Sequence, residues 1–106
     1  MNEQEFHAEV DKLFLGIEEW LEQSSSEMDF ESQEGMLVIE FPDKSQMILS
    51  RQTTLQEVWL ASPLGAYHFR LKSNQWLTAQ NQSLLQVIVD VVKQKANITL
   101  DHTQFQ

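Results

Sequence analysis

Apolar residues recur at Phe6, Val10, Leu13, Phe14, Ile17 and Leu21, with Trp20 beside them. Steps of three and four place them on one side of a helix, and the spacing predicts an amphipathic helix over residues 3–23. Asn2 stands where an N-cap belongs, and Glu5 three residues on completes a capping box. Gln23-Ser24-Ser25-Ser26 ends the helix. From there the period drops to two. Glu27 to Glu31 alternates strictly with Met28 and Phe30 inward. Met36 to Phe41 turns Leu37, Ile39 and Phe41 to one side, and Gln46 to Arg51 turns Met47 and Leu49 the same way. Gln56 to Ser62, Ala66 to Leu71 and a short run around Gln75-Trp76-Leu77-Thr78 follow. Gln33-Glu34-Gly35, Pro42-Asp43-Lys44-Ser45, Ser62-Pro63-Leu64-Gly65 and Lys72-Ser73-Asn74 read as turns. Helical spacing returns at Leu84, Ile88, Val91 and Val92, widened by Leu85 and Val87, behind a cap at Asn81 or Ser83. Lys93 and Lys95 sit near the C-terminus of this helix, where cations are favoured. Ile98, Leu100 and Phe105 in the tail either dock between elements or fray.

Each helix has one apolar stripe, and a meandering antiparallel sheet has one face to offer them. The economical solution is an α+β two-layer sandwich, with two helices on one face of the sheet, built from residues 1–106 as one domain. In the strand from Gln56 to Ser62, Val58 and Leu60 point one way and Trp59 and Ala61 the other. Both faces of that strand are therefore apolar, as in a central strand. On this pattern alone, Trp59 leans towards a core position.

Composition narrows the function. No apolar run approaches the length of a membrane span. The acidic start does not read as a secretory leader. Without Cys there is no disulfide, thiol chemistry or thiolate metal site. These features agree with a cytoplasmic protein. The net charge of −9 is unevenly spread. Residues 1–43 carry 13 acids and one base (−12), and residues 44–106 carry three acids and six bases (+3). Such a field repels nucleic acid and anionic membranes and attracts cations or a basic protein surface.

At 100° per residue, His7, Asp11, Glu18 and Glu22 fall on one flank of the first helix, with Glu19 adjacent. The next strand presents Glu27, Asp29 and Glu31 on one face. If it lies at the sheet edge under that flank, helix and edge form one acidic ridge. Carboxylates with one imidazole suit hard or borderline cations such as iron, manganese, calcium or magnesium. No fixed cage spacing is present, so such a site is shallow, solvated and weakly selective. The plainer reading of the flank is a solvated charged helix face. Motifs for phosphate loops, GxSxG or HExxH are missing. His68, in a strand among aromatics, and His102, in the tail, read as structural.

Arg51-Gln52, Val58-Trp59-Leu60-Ala61-Ser62-Pro63, Gly65 and Tyr67-His68-Phe69 together resemble the signature of the frataxin family. Asn2, Glu5-Phe6-His7 and Ile17-Glu18-Glu19 bring the likeness closest to its bacterial members. The likeness is strong over roughly residues 1–80. It implies an α–β sandwich that binds iron (Fe2+ or Fe3+) weakly along an acidic ridge, with other divalent cations able to substitute. It also implies docking on the cysteine desulfurase and scaffold machinery of iron–sulfur cluster assembly. Carried over, the metal-binding residues are Glu3, His7, Asp11, Glu18, Glu19, Glu22 and Asp29. The partner-binding residues are Glu18, Glu19, Glu22, Gln52 and Trp59, and the family pattern places Trp59 exposed on the sheet. Ser50 stands where the family usually has Asn, which implies a surface contact that is weaker or replaced. Gln23-Ser24-Ser25-Ser26 replaces a linker usually dense in Asp, which implies a lower iron capacity.

The resulting expectation is a non-enzymatic, monomeric, iron-binding regulator of cluster assembly, with iron-dependent oligomers as a further state. A ferroxidase that stores iron is the enzymatic alternative, although no ExxH pattern on packed helices supports it. An acidic docking module without a metal role is the third.

Overall fold

The computed structural model describes residues 1–101 and 105. Helix α1 spans Glu3–Ser24. Both halves of its capping box form: Asn2 Oδ1 accepts from the Glu5 N–H at 2.7 Å, and the Asn2 N–H donates to Glu5 Oε1 at 2.9 Å. Six strands follow: β1 (Asp29–Gln33), β2 (Met36–Glu40), β3 (Gln46–Gln52), β4 (Glu57–Ser62), β5 (Gly65–Lys72) and β6 (Gln75–Leu77). Helix α2 spans Leu84–Ala96. The strands lie in chain order, each antiparallel to the next.

Three tight turns set the register. Gly35 takes φ 73° between β1 and β2, a conformation open to Gly without strain. Pro63-Leu64 closes the Ser62–Gly65 pair between β4 and β5. Ser73 and Asn74 both adopt positive φ between β5 and β6, as a type I′ hairpin turn requires.

Alternation then sorts every strand. Leu37, Ile39, Met47, Leu49, Val58, Leu60 and Phe69 are buried with Phe6, Val10, Ile17 and Leu21 of α1 and Val87, Ile88, Val91 and Val92 of α2. The two helices thus share one face of the sheet, and the other face is open. The α+β sandwich is as expected.

One boundary differs from the sequence reading, and two alternatives it left open are settled. Strand β1 starts at Asp29 rather than Glu27, because Ser25 Oγ accepts the Glu27 N–H and holds the connector in a bend. Met28 is still buried ahead of the strand. Ser83, not Asn81, caps α2, its hydroxyl accepting from the Gln86 N–H. Asn81 instead sits in a turn, its N–H bound to the Thr78 carbonyl. The tail docks: Leu100 is buried, the Trp20 indole N–H donates to the Asp101 carbonyl at 2.9 Å, and Phe105 meets Trp20 edge-on. His102 lies outside the described residues. Among the described residues, no helix is long and apolar enough to cross a membrane.

Candidate functional site: an acidic helix flank and an open sheet face

The flank of α1 meets the sheet at two places. Near its start, His7 and Asp11 face Arg51 of β3. The Arg51 Nη1–H donates to His7 Nδ1 at 2.8 Å, and Nη2–H to Asp11 Oδ1 at 2.6 Å. Arg51 reaches this point because β3 alternation sends it to the helix side with Met47 and Leu49, where its guanidinium lies 5.6 Å above the Phe14 ring. Glu3 Oε1 lies 3.7 Å from His7 Nε2. Two turns on, Ser32 of β1 donates its hydroxyl to Glu18 Oε1 at 2.7 Å. Glu19 and Glu22 are exposed.

The expected ridge is therefore not one flat strip. Strand β1 is the edge strand under the flank, as anticipated. However, Phe30 and Ser32 face the helices, so Asp29 and Glu31 point to the open face. The acidity wraps around the sheet edge instead. Asp29 pairs directly with Glu40 across β1 and β2, a like-charge neighbour that sequence reading did not connect to it. The signal was available: counting outward from the Glu34-Gly35 turn pairs residue 29 with residue 40. Lys44 lies 3.7 Å from Glu40.

The donor set, carboxylates with one imidazole, fits a hard or borderline cation. Among the described residues, no three His, Asp or Glu side chains form a group that could hold a metal ion.

The open face carries the second feature. Trp59 faces away from the helices, as its alternation with Val58 and Leu60 demands. It is half-buried, between the core position its pattern alone suggests and the exposed position the family resemblance implies. The His68 ring stacks on it at 4.2 Å between centroids and 7° between planes. The Trp59 Nε1–H donates to Glu57 Oε1 at 2.8 Å, and Arg70 Nε–H donates to Glu57 Oε2 at 2.9 Å. Glu57, 14% exposed, is held below the ordinary carboxylate range, first by the indole N–H and then by Arg70, against the opposing effect of burial. His68 is thus part of a surface platform rather than a core histidine. A depression of about 180 Å³ beside it is lined by Ile48, Ala61, Ala66 and Tyr67. Gln52 donates to Ser50 Oγ at 3.2 Å, and Ser50 stands opposite Trp59, so these two positions border the same surface.

Comparison with known proteins places this geometry. A sequence model of the frataxin-like domain matches residues 1–98. The iron–sulfur cluster assembly protein CyaY of Vibrio vulnificus is 41% identical over 80 residues, 76% of this chain and 77% of that protein. Frataxin from Psychromonas ingrahamii superposes with a TM-score of 0.89 at 27% identity, covering 95% of this chain and 97% of that one. Trimeric frataxin from Saccharomyces cerevisiae, complexed with ferrous iron, superposes with a TM-score of 0.68 at 26% identity over 88% of this chain and 86% of that one. A match running from the capping box of α1 past the end of α2 leaves one conclusion: this chain belongs to the frataxin family.

Proposed function

We propose that the chain, as a single frataxin-like unit in the cytoplasm, binds iron weakly along the acidic flank and regulates iron–sulfur cluster assembly. It does so by docking on the cysteine desulfurase and its scaffold. The observation that carries this reading is the bare carboxylate end of α1: Glu18, Glu19 and Glu22 with no basic residue in the last turn of the helix. Carboxylates there oppose the negative end of the helix dipole, an arrangement that favours an incoming cation or a basic protein surface. The Vibrio relative's role in cluster assembly and the ferrous complex of the yeast relative support the same reading. The candidate iron donors are Glu3, His7, Asp11, Glu18, Glu19, Glu22 and Asp29. Trp59, with Gln52 at its border, supplies apolar and polar contact on the open face. The unit is a monomer that forms oligomers when iron neutralises its acids.

The test is cluster formation by purified desulfurase and scaffold, with and without this protein, across a range of iron. The expected result is a change in rate that depends on iron and weakens steeply as salt rises, because exposed charges are screened. A rate indifferent to the protein at every iron level would refute the reading. Oxygen consumption in the same assay separates regulation by binding from ferroxidase turnover.

A further inference from the structure

We infer that Arg51 fills the place of a cation between His7 and Asp11, so that a metal ion gains the His7 ring only by displacing it. This rests on the reading of the flank as cation-binding and concerns which end of it binds first.

The geometry around His7 is closed to a metal in a specific way. A guanidinium only donates hydrogen bonds. His7 Nδ1, at 2.8 Å from Arg51 Nη1, must therefore accept. In the neutral ring the proton then sits on Nε2, the atom 3.7 Å from Glu3 Oε1. Neither ring nitrogen offers a free lone pair. Moving the proton to Nδ1, to bare Nε2 for a metal, would set one N–H against another. Asp11 Oδ1 is engaged as well, through its 2.6 Å bond to the same guanidinium, so the oxygen nearest His7's clamp is taken while the rest of the carboxylate stays exposed.

Arg51 is also held in place. Its side chain is only 18% exposed, it lies over Phe14, and its backbone N–H is bound to the Gly35 carbonyl at 2.9 Å. The hold is imperfect, since Arg51 Nε is buried without a partner. A linear apolar side chain at this position would lose the clamp without losing the packing on Phe14. Among the described residues, no basic side chain bonds or pairs with Glu18, Glu19 or Glu22. The C-terminal end of the flank is the open one.

The experiment uses Mn2+, a paramagnetic and redox-stable probe, titrated into the intact protein while NMR line broadening is followed residue by residue. In the unsubstituted protein, signals around Glu18 and Glu22 should broaden first, with the His7 ring following only at about tenfold higher Mn2+. In Arg51→Met the His7 threshold should fall by about tenfold, as expected for loss of charged hydrogen bonds, while the Glu18–Glu22 threshold stays put. Lys93→Met removes the same charge from α2 and should leave the His7 threshold unchanged. An unchanged His7 threshold in a folded Arg51→Met protein overturns the inference. Should that variant not fold, Arg51→Gln decides: a neutral amide carries no cationic charge and is too short to hold both His7 and Asp11, so the threshold should still fall, and no fall overturns the inference. If the unsubstituted protein responds at neither end, the cation-binding reading of the flank fails. Masking by Arg51 is then judged separately: a His7 response gained in Arg51→Met supports it, and none overturns it.

Discussion

Glu57 ties together three side chains of the open face, and two outcomes follow at the scale of single residues. Trp59 packs on His68 and bonds to Glu57, whereas Val58 and Leu60 hold the core behind it. Trp59→Ala should therefore cost the fold only about 1 kcal/mol. It should weaken desulfurase binding by about 2 kcal/mol, as truncation of a desolvated aromatic anchor does. Melting curves and a binding isotherm check both; a collapse of the melting midpoint would place Trp59 in the core. The second outcome concerns acid. Glu57 is lowered below its ordinary 4.5 by the Trp59 N–H, and Asp43 is lowered below its ordinary 3.8 by the hydrogen bond from Lys95 and then by Ser45. A lowered carboxylate adds stability above the ordinary range and loses it as pH falls through the folded value. Urea midpoints measured below about pH 5 should thus fall more gently in Asp43→Asn/Glu57→Gln than in the parent. Equal acid slopes would mean that these bonds do not distinguish folded from unfolded chains.

At the scale of elements, the proposed binding flank of α1 works against the helix's own stability. Glu18 and Glu22 repel at i, i+4, and the last turn has no base to offset the dipole. Replacing Glu18, Glu19 and Glu22 by Gln should stabilise the metal-free fold by about 0.3 kcal/mol for each relieved contact and so raise its melting temperature. Gln at position 18 can still accept the Ser32 hydroxyl. The same variant should gain less from anaerobic iron(II), since a ligand stabilises only the form that binds it. A variant that melts lower than the parent, or gains as much from iron, would make these carboxylates ordinary surface residues. The helices and all six strands were legible because periods of 3.6 and 2 are local properties of the chain. The missed features are cross-chain ones. Arg51 comes 40 residues after Asp11, so no local pattern in the sequence shows the base that meets this flank. A helical wheel and a strand alternation are each local and leave Asp29 continuous with Glu18; only pairing shows that they sit on opposite sides of the sheet edge. Trp59 was ambiguous because a strand with two apolar faces does not say which one is covered.

At the scale of the molecule, charge and architecture divide alike. The acidic residues 1–43 form α1 and the β1–β2 hairpin, the hairpin lying at one side of the sheet, and the later, net basic residues complete the sheet and α2. That side ends in β1, whose outer edge has no strand partner among the described residues. An unpaired edge is a template for another chain, and natural proteins guard such edges with charge. Asp29 and Glu31 stand on that strand, and Glu27 lies just ahead of it. Iron that settles on them would disarm the guard. Strand-to-strand association between copies should then set in as the cation saturates. Light scattering should report assemblies in excess iron(II) that dissolve on chelation. Asp29→Lys/Glu31→Lys keeps the edge charged in a form that iron cannot neutralise, and it should stay monomeric throughout; assemblies of equal size in that variant would point to another surface. The carboxylates at this edge would then act as a concentration gauge, holding copies apart while iron is scarce and letting them gather when it is abundant.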